Sequence, residues 1–433
     1  MKPIRTGLMA LCLTLASTSA FAQPTPHVAE DWAADLDALL VELEARHPNL
    51  HHTTSRQVWD AQVTAYRSNL PTMTDAERIA GMARLLAMIG DGHTWMPMHA
   101  LPFDGMPQGP GFRSLPVRFE LFDDGLFIVG ATNPDLVGQR VEALGDVPAA
   151  EALGRALEIL PHDAVNFSRE LAPEWLMQAE LLVALGLAET ADTVRLTLNG
   201  GQTSRIMSLT PLSPDARYDW VFSMDGGPAG AETWHTAAAA TPVWQAPMTM
   251  PVRLIESVGG AAYIQIFSIA DGPTAFAEIA NQAAAITHAS SEPTLILDLR
   301  RCLGGDGSLN PGFIDALLGD ERLAEPGRVR VLISRQTHSA AIMLLSRLNR
   351  RTGAVFFGQA AADRPNHYGE TNIWVTPNTG LPLIHASEYY ATAAPGDTRR
   401  HHAPDIHIPY RFEDYAAGED PVLAAALSYS PEI

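Results

Sequence analysis

From residue 251 onward the chain alternates short apolar runs with helical patterns, and this alternation constrains the fold more than any other feature. Strands are predicted at 261–267, 294–299, 329–333 and 354–358, with helices between them at 274–288, 311–318 and 340–349. Short buried runs separated by amphipathic helices predict a largely parallel sheet covered by helices, with active residues at the strand ends. The fold class is therefore α/β.

Upstream the pattern differs. Residues 28–89 predict three helices: Leu36, Leu39, Leu40, Leu43 and Ala45 form a stripe that Pro48 ends, and Thr53 or Ser55 caps the next helix. Thr74 with Glu77 makes a capping box ahead of Ile79, Met82, Leu85 and Leu86, and Gly90 supplies a C-terminal stop. A Pro- and Gly-rich loop covers 96–113, then alternating runs at 115–121, 126–130 and 139–144 predict strands, with Asp123-Asp124-Gly125 as a hairpin turn. Helices are predicted at 149–160 and 174–187, and strands at 193–198 and 204–209. The resulting division is a leader at 1–22, a helical region at 23–95, and a small β-rich module of PDZ type at 96–210. A connector at 211–250 and an α/β catalytic domain at 251–433 follow.

The leader has a basic start (Lys2, Arg5), an apolar core at 7–16 too short to span a bilayer, and Ala20-Phe21-Ala22 before Gln23 as a cleavage site. Export, to a bacterial periplasm or beyond, is the expectation, with no membrane span in the mature chain. Cys12 leaves with the leader, so Cys302 stands alone, no intrachain disulfide is expected, and the thiol reads as a small buried apolar group. The 29 Lys plus Arg against 49 Asp plus Glu give a formal charge of −20, which argues against nucleic acid or an anionic membrane as partner. Oligomeric state is not legible.

Ser339 follows the strand at 329–333 and opens a helix. A hydroxyl at such a turn is lifted off the sheet end beside unpaired helix N–H groups, as acyl transfer requires of a nucleophile. A plain N-cap is the competing reading. Lys2 is the only lysine, so the mature chain cannot form a Ser-Lys dyad, and Arg364 stays protonated at any usable pH. The base must be a histidine or a carboxylate. His93, in Gly90-Asp91-Gly92-His93-Thr94, is the first candidate and His367 its rival; His338, His401 and His402 follow. Gly304-Gly305-Asp306-Gly307 after a buried strand exposes amides that, with the Ala340 amide, can hold an oxyanion. No His-Glu-x-x-His spacing occurs, so neither a metal nor another cofactor is expected.

Four segments in order resemble the tail-specific, or C-terminal processing, serine peptidases, more closely their tricorn-like branch. They are Gly90 to Thr94, Leu297-Asp298-Leu299-Arg300 with Gly304-Gly305, Thr337-His338-Ser339-Ala340-Ala341, and Ala403-Pro404-Asp405-Ile406. The resemblance implies a crotonase- or Clp-protease-like catalytic domain with Ser339 as nucleophile. The amides of Ala340 and of Gly304 or Gly305 would form the oxyanion hole. The lysine many members carry would fall at Ala362-Asp363-Arg364-Pro365, where there is none; the tricorn-like histidine maps to His93. Its orienting acid is assigned to Asp397, with Glu388 as substitute. Cys302 stands where asparagine is common, and Ala341-Ile342 where Ser-Glu is usual.

The expected activity is hydrolysis of peptide bonds in a peptide or protein substrate through an acyl-enzyme, rising through about pH 6–7 as a histidine base deprotonates. A non-catalytic carrier of apolar ligands, its pocket lined by Trp95, Met96 and Met98, and a serine esterase on the same site are the alternatives.

Overall fold

The computed structural model describes residues 27–98, 109–161, 163–199, 204–212, 235–247, 249–394 and 396–430. The leader, with Lys2 and Cys12, and residues 213–234 of the connector lie outside the described residues.

Helices α1 (Ala29–Arg46), α2 (Arg56–Asn69) and α3 (Asp75–Ala87) occupy the predicted region. Trp32, Leu36, Leu39 and Leu43 form the buried face of α1, Ser55 caps α2, and Thr74 and Glu77 close the capping box of α3. Gly90 turns the chain with φ of 82°, a conformation in which a side chain would be strained.

A seven-stranded sheet follows, of β1 (Val117–Phe122), β2 (Gly125–Ala131), β3 (Arg140–Leu144), β4 (Val147–Pro148), β5 (Val194–Asn199), β6 (Ser204–Leu209) and β7 (His235–Thr236). Its order is β1-β2-β3-β5-β6, with β4 against β3 and β7 against β2. Alternate residues of β5 (Val194, Leu196, Leu198) are buried against α4 (Ala149–Leu157), α5 (Val165–Trp175) and α6 (Ala179–Ala184), in one core with α1–α3. The helix predicted over 174–187 is thus divided. Gln178 is extended (φ −93°, ψ 110°) and bridges to Ser114, so Met177 and Ala179 hydrogen-bond to Leu115 and Arg113 rather than along a helix.

The second sheet has six strands in the order β17-β12-β11-β10-β9-β8, formed by β8 (Val252–Val258), β9 (Ala261–Ile266), β10 (Leu295–Asp298), β11 (Val329–Ile333), β12 (Val355–Gly358) and β17 (Ile406–His407). The pairs from β9 to β17 are parallel, and only β8 is antiparallel. Helices α7 (Phe276–His288), α8 (Asn310–Leu317) and α9 (Ala340–Arg351) connect the strands and cover one face, which receives Ala262, Ile264 and Ile266. The opposite face, with Ala261 and Tyr263, packs against α11 (Pro421–Ser428), while α10 (Phe412–Ala417) brings Phe412 and Tyr415 onto Phe122 and Phe127 of the first sheet. Burial on both faces is why the central strands read as continuous apolar runs.

Two short ribbons between β12 and β17 were not predicted. They pair β13 (Asn366–Gly369) with β16 (Glu388–Ala391) and β14 (Asn372–Val375) with β15 (Pro382–His385). They tie the two ends of the chain together. Trp95 and Ile384 exchange backbone hydrogen bonds at 2.9 Å, and the Ala386 amide donates to Thr94 Oγ1 at 3.1 Å. Buried Asp35 on α1 accepts the amides of Asn378 and Thr379 at 2.8 Å. Among the described residues no helix is long and apolar enough to cross a membrane.

Candidate active site

Ser339 ends the turn between β11 and α9. Thr337 Oγ1 donates to Leu299 O at 2.9 Å, the His338 amide donates to Cys302 O at 3.0 Å, and the Ser339 amide donates to Asp363 Oδ2 at 2.8 Å. So held, Ser339 adopts φ 56° and ψ −124°, a conformation costly for any residue with a Cβ. Its side chain does not cap α9, although it sits at the N-cap position. The hydroxyl instead lines a cavity of about 1030 Å³, shared with His93, Gly304, Gly305, Trp95 and Met343.

The glycines are there for space. A Cβ on Gly304 would lie 2.6 Å from Ser339 Cβ and 3.1 Å from both Ser339 Oγ and the Ala340 nitrogen. A Cβ on Gly305 would strike Ile269 O at 2.3 Å. Ile269 donates to Gly304 O and accepts from the Asp306 amide, both at 2.7 Å, so strand alternation turns the Gly305 amide to the opposite side. The Ala340 amide, in the first turn of α9, has no acceptor within its helix. Cys302 beside them is wholly buried, which pushes its thiol up to about 12 and keeps it inert.

Three imidazoles stack behind the serine. His93 lies against His338 with ring centroids 4.4 Å apart and against His367 at 5.7 Å, and Phe167 covers the other face of His338 at 4.2 Å. Their nitrogens are differently engaged. His338 Nδ1 is 3.4 Å from Leu303 O and its Nε2 is 3.2 Å from Asp363 Oδ2, while His367 Nδ1 is 3.1 Å from Arg364 O. Both nitrogens of His93 are buried without a hydrogen-bond partner among the described residues. Of the three, His93 is the ring with neither nitrogen engaged among the described residues.

Electrostatics separate the rings further. Burial, with the His338 charge beside it, pushes His93 down to about 3, against the opposing pull of Asp363 and Asp91. Burial is the largest influence on His338 and works against its charge, but Asp363 together with the Leu303 and Gly92 carbonyls outweighs it and holds His338 above its ordinary value. Asp363, though buried, lies well below the usual carboxylate range because His338 faces it.

The base segment has its own support. Asp91 Oδ1 accepts the His93 amide at 2.8 Å, and Oδ2 lies 2.9 Å from His47 Nε2. Since His47 Nδ1 accepts the Asn49 amide at 3.2 Å, the ring proton sits on Nε2 and is donated to Asp91. The trios His47, His52, Asp91 and His93, His338, Asp363 each bring ligand-type atoms within 4.8 Å, so either could hold a metal ion; in each, a histidine already engages the carboxylate.

Asp397 does not join this group. The Arg399 guanidinium forks its carboxylate at 2.7–3.1 Å, and the carboxylates acting on His93 are Asp363 and Asp91. Glu388 is exposed on β16, His402 bonds to Ser346 at 2.9 Å beneath α9, and Arg364 pairs with Asp163 at 2.8 Å. The carboxylate placed among these imidazoles is thus Asp363 and not Asp397, and it stands in the segment noted only for lacking lysine. Met96 and Met98 are buried in the core beside α1–α3, and of the three residues expected around an apolar pocket only Trp95 faces the cavity.

No family model matches the chain, and no curated protein matches it. Among solved structures, mature CPAF complexed with lactacystin is similar over 90% of this chain and 95% of its own, at 14% identity and a TM-score of 0.59. A CPAF mutant is similar over 94% of this chain and 99% of its own, at 13% identity and a TM-score of 0.60. The photosystem II D1 C-terminal processing protease aligns over 90% of this chain and 98% of its own at 12% identity, but at a TM-score of 0.39 that likeness carries nothing further. At such identities a likeness shows the fold alone, and the α/β fold of this chain is the one it shares with CPAF.

Proposed function

We propose that the chain is an exported serine peptidase that hydrolyses peptide bonds through an acyl-enzyme. Ser339 carries the reading: it is a non-glycine residue at φ 56° whose hydroxyl faces the cavity instead of capping its helix. Strain of this kind is retained where position matters more than local stability. His93 takes the Ser339 proton as Oγ bonds to the substrate carbonyl carbon, and the amides of Ala340 and Gly305 receive the oxyanion. When the C–N bond breaks, His93 returns the proton to the leaving amine. Water then attacks the ester by the same route in reverse. Asp363 replaces Asp397 as the acid that stabilises charge on the imidazole.

The test is Ser339→Ala against wild type, with fluorophosphonate labelling and turnover of a peptide library. Labelling should vanish and kcat/KM fall by at least about a thousandfold; equal labelling of both proteins would reject the nucleophile. Lactacystin, held in the CPAF complex, is a second probe, and it should compete with that labelling. The apolar flank of the cavity, with Trp95, Phe167, Leu171 and Ile384, supports the carrier reading as the alternative. Co-purified lipid without turnover of peptides or esters would favour it, and turnover of esters alone would make the protein an esterase. Export rests on the leader pattern, and a mature amino terminus at Gln23 is its check.

A further inference from the structure

Along α9, Ser339, Met343 and Arg347 recur every four residues and all line the same cavity. Residues at that spacing share one helix face. No described residue bonds to or ion-pairs with Arg347, and its Nε is buried without an acceptor. In a chain with 29 Lys plus Arg against 49 Asp plus Glu, a guanidinium without a carboxylate is unexpected. Other arginines of α9 do find partners: Arg351 reaches Asp315 at 2.9 Å and Arg350 bonds to Thr392 O. A buried N–H without an acceptor is costly unless a ligand supplies one.

We infer that Arg347 is a specificity-determining residue that receives a carboxylate of the substrate, an inference that rests on the peptidase reading of the site. Eight residues of helix separate Arg347 from Ser339, about 12 Å along the axis, and helical side chains lean back toward the N-terminus. An extended peptide advances about 3.3 Å per residue. The carboxylate therefore lies two to four residues from the scissile bond. Asp306 and Glu370 also line the cavity, Glu370 accepting the Tyr390 hydroxyl, and they disfavour a substrate anion anywhere near them. Guanidinium binds a carboxylate through paired donors, so the preference is for a planar anion at one place and not for negative charge in general. An Asp or Glu side chain and a free C-terminus offer the same group.

The experiment scans a cleavable peptide with Glu against Gln at each position up to four residues on either side of the bond, each with a free or an amidated C-terminus. Wild type should prefer the carboxylate by about tenfold in kcat/KM at one position or at the free terminus, and the responding arm identifies the source. Arg347→Gln should bring that ratio to about one, while Arg347→Lys, which keeps the charge on a flexible stem, should retain part of it and separate charge loss from misfolding. The same peptides are also titrated onto Ser339→Ala by fluorescence anisotropy, with and without Arg347→Gln. Carboxylate-selective, Arg347-dependent binding without turnover by wild type would sustain this inference and sink the peptidase reading. Turnover with equal rates on Glu and Gln peptides, free and amidated, would do the reverse.

Discussion

Two histidine–carboxylate pairs hold the turns that carry Ser339 and His93, and they are built alike up to a point. In each, the carboxylate faces an imidazole and also accepts a backbone amide at 2.8 Å: Asp363 holds the amide of Ser339, and Asp91 holds that of His93. They differ in what is left over. Asp91 uses one oxygen for the amide and the other for His47, so it is saturated. Asp363 turns Oδ2 to both of its partners and leaves Oδ1 buried without a hydrogen bond. That free oxygen lies close to Gly92: a Cβ there would sit 2.5 Å from it. A buried, unsatisfied carboxylate oxygen is costly and is retained where chemistry needs it. The Asp91 pair thus holds a loop, while the Asp363 pair holds a loop and keeps negative charge available beside His93.

Two substitutions can break this contrast. Asp363→Asn keeps an acceptor for the Ser339 amide but removes the charge that stabilises an imidazolium at His93. It should lower kcat by about a thousandfold with KM little changed, read by steady-state turnover on a protein whose near-UV dichroism is native. Asp91→Asn also keeps an acceptor, for the His93 amide, but its NH2 meets the His47 Nε2 proton and displaces His47. The effect is one of position, about tenfold to a hundredfold in kcat. Equal losses in the two variants would erase the distinction between them.

How much of this was legible follows the physical origin of each feature. The α/β alternation, the capping box at Thr74 and the hairpin turn at Asp123-Asp124 are local, so sequence carried them. Ser339, His93, Gly304, Gly305 and Ala340 could be singled out from local motifs, and the structure brings all five to one cavity. The placement of Asp363 was not legible. It depends on β13–β16, short ribbons with no strong periodicity, which place a segment beyond β12 against the turn before α9. His338 ranks behind His93 and His367 in the sequence, since adjacent residues at a helix start usually point apart, but with Ser339 at positive φ the His338 ring lies against His93. Nor does any pattern near Asp397 reveal that Arg399, two residues on, holds its carboxylate. The pairing of Asp91 with His47 spans 44 residues and leaves no spacing signature.

The smallest effect expected is in the pH dependence, and it sharpens the same contrast. An ordinary histidine base would lose activity steadily below pH 6–7, about tenfold per pH unit. With His93 pushed down to about 3 by burial and by His338, the base stays neutral through that range, and kcat/KM should be nearly flat from pH 5 to 6.5. His338 titrates the other way. Held above its ordinary value by Asp363, it is charged at pH 5–6 and stabilises the fold there, a contribution present below its unfolded pKa and lost as pH rises through the folded one. Its deprotonation removes a cation from beside His93, so kcat/KM should rise modestly, a fewfold, above pH 6.5 while thermal stability declines. Measured together, rate rising as Tm falls over one pH interval assigns that titration to His338. A steep acid limb at pH 6–7 with constant Tm would instead place an ordinary, solvated histidine at the serine and undo the division of labour between the two pairs.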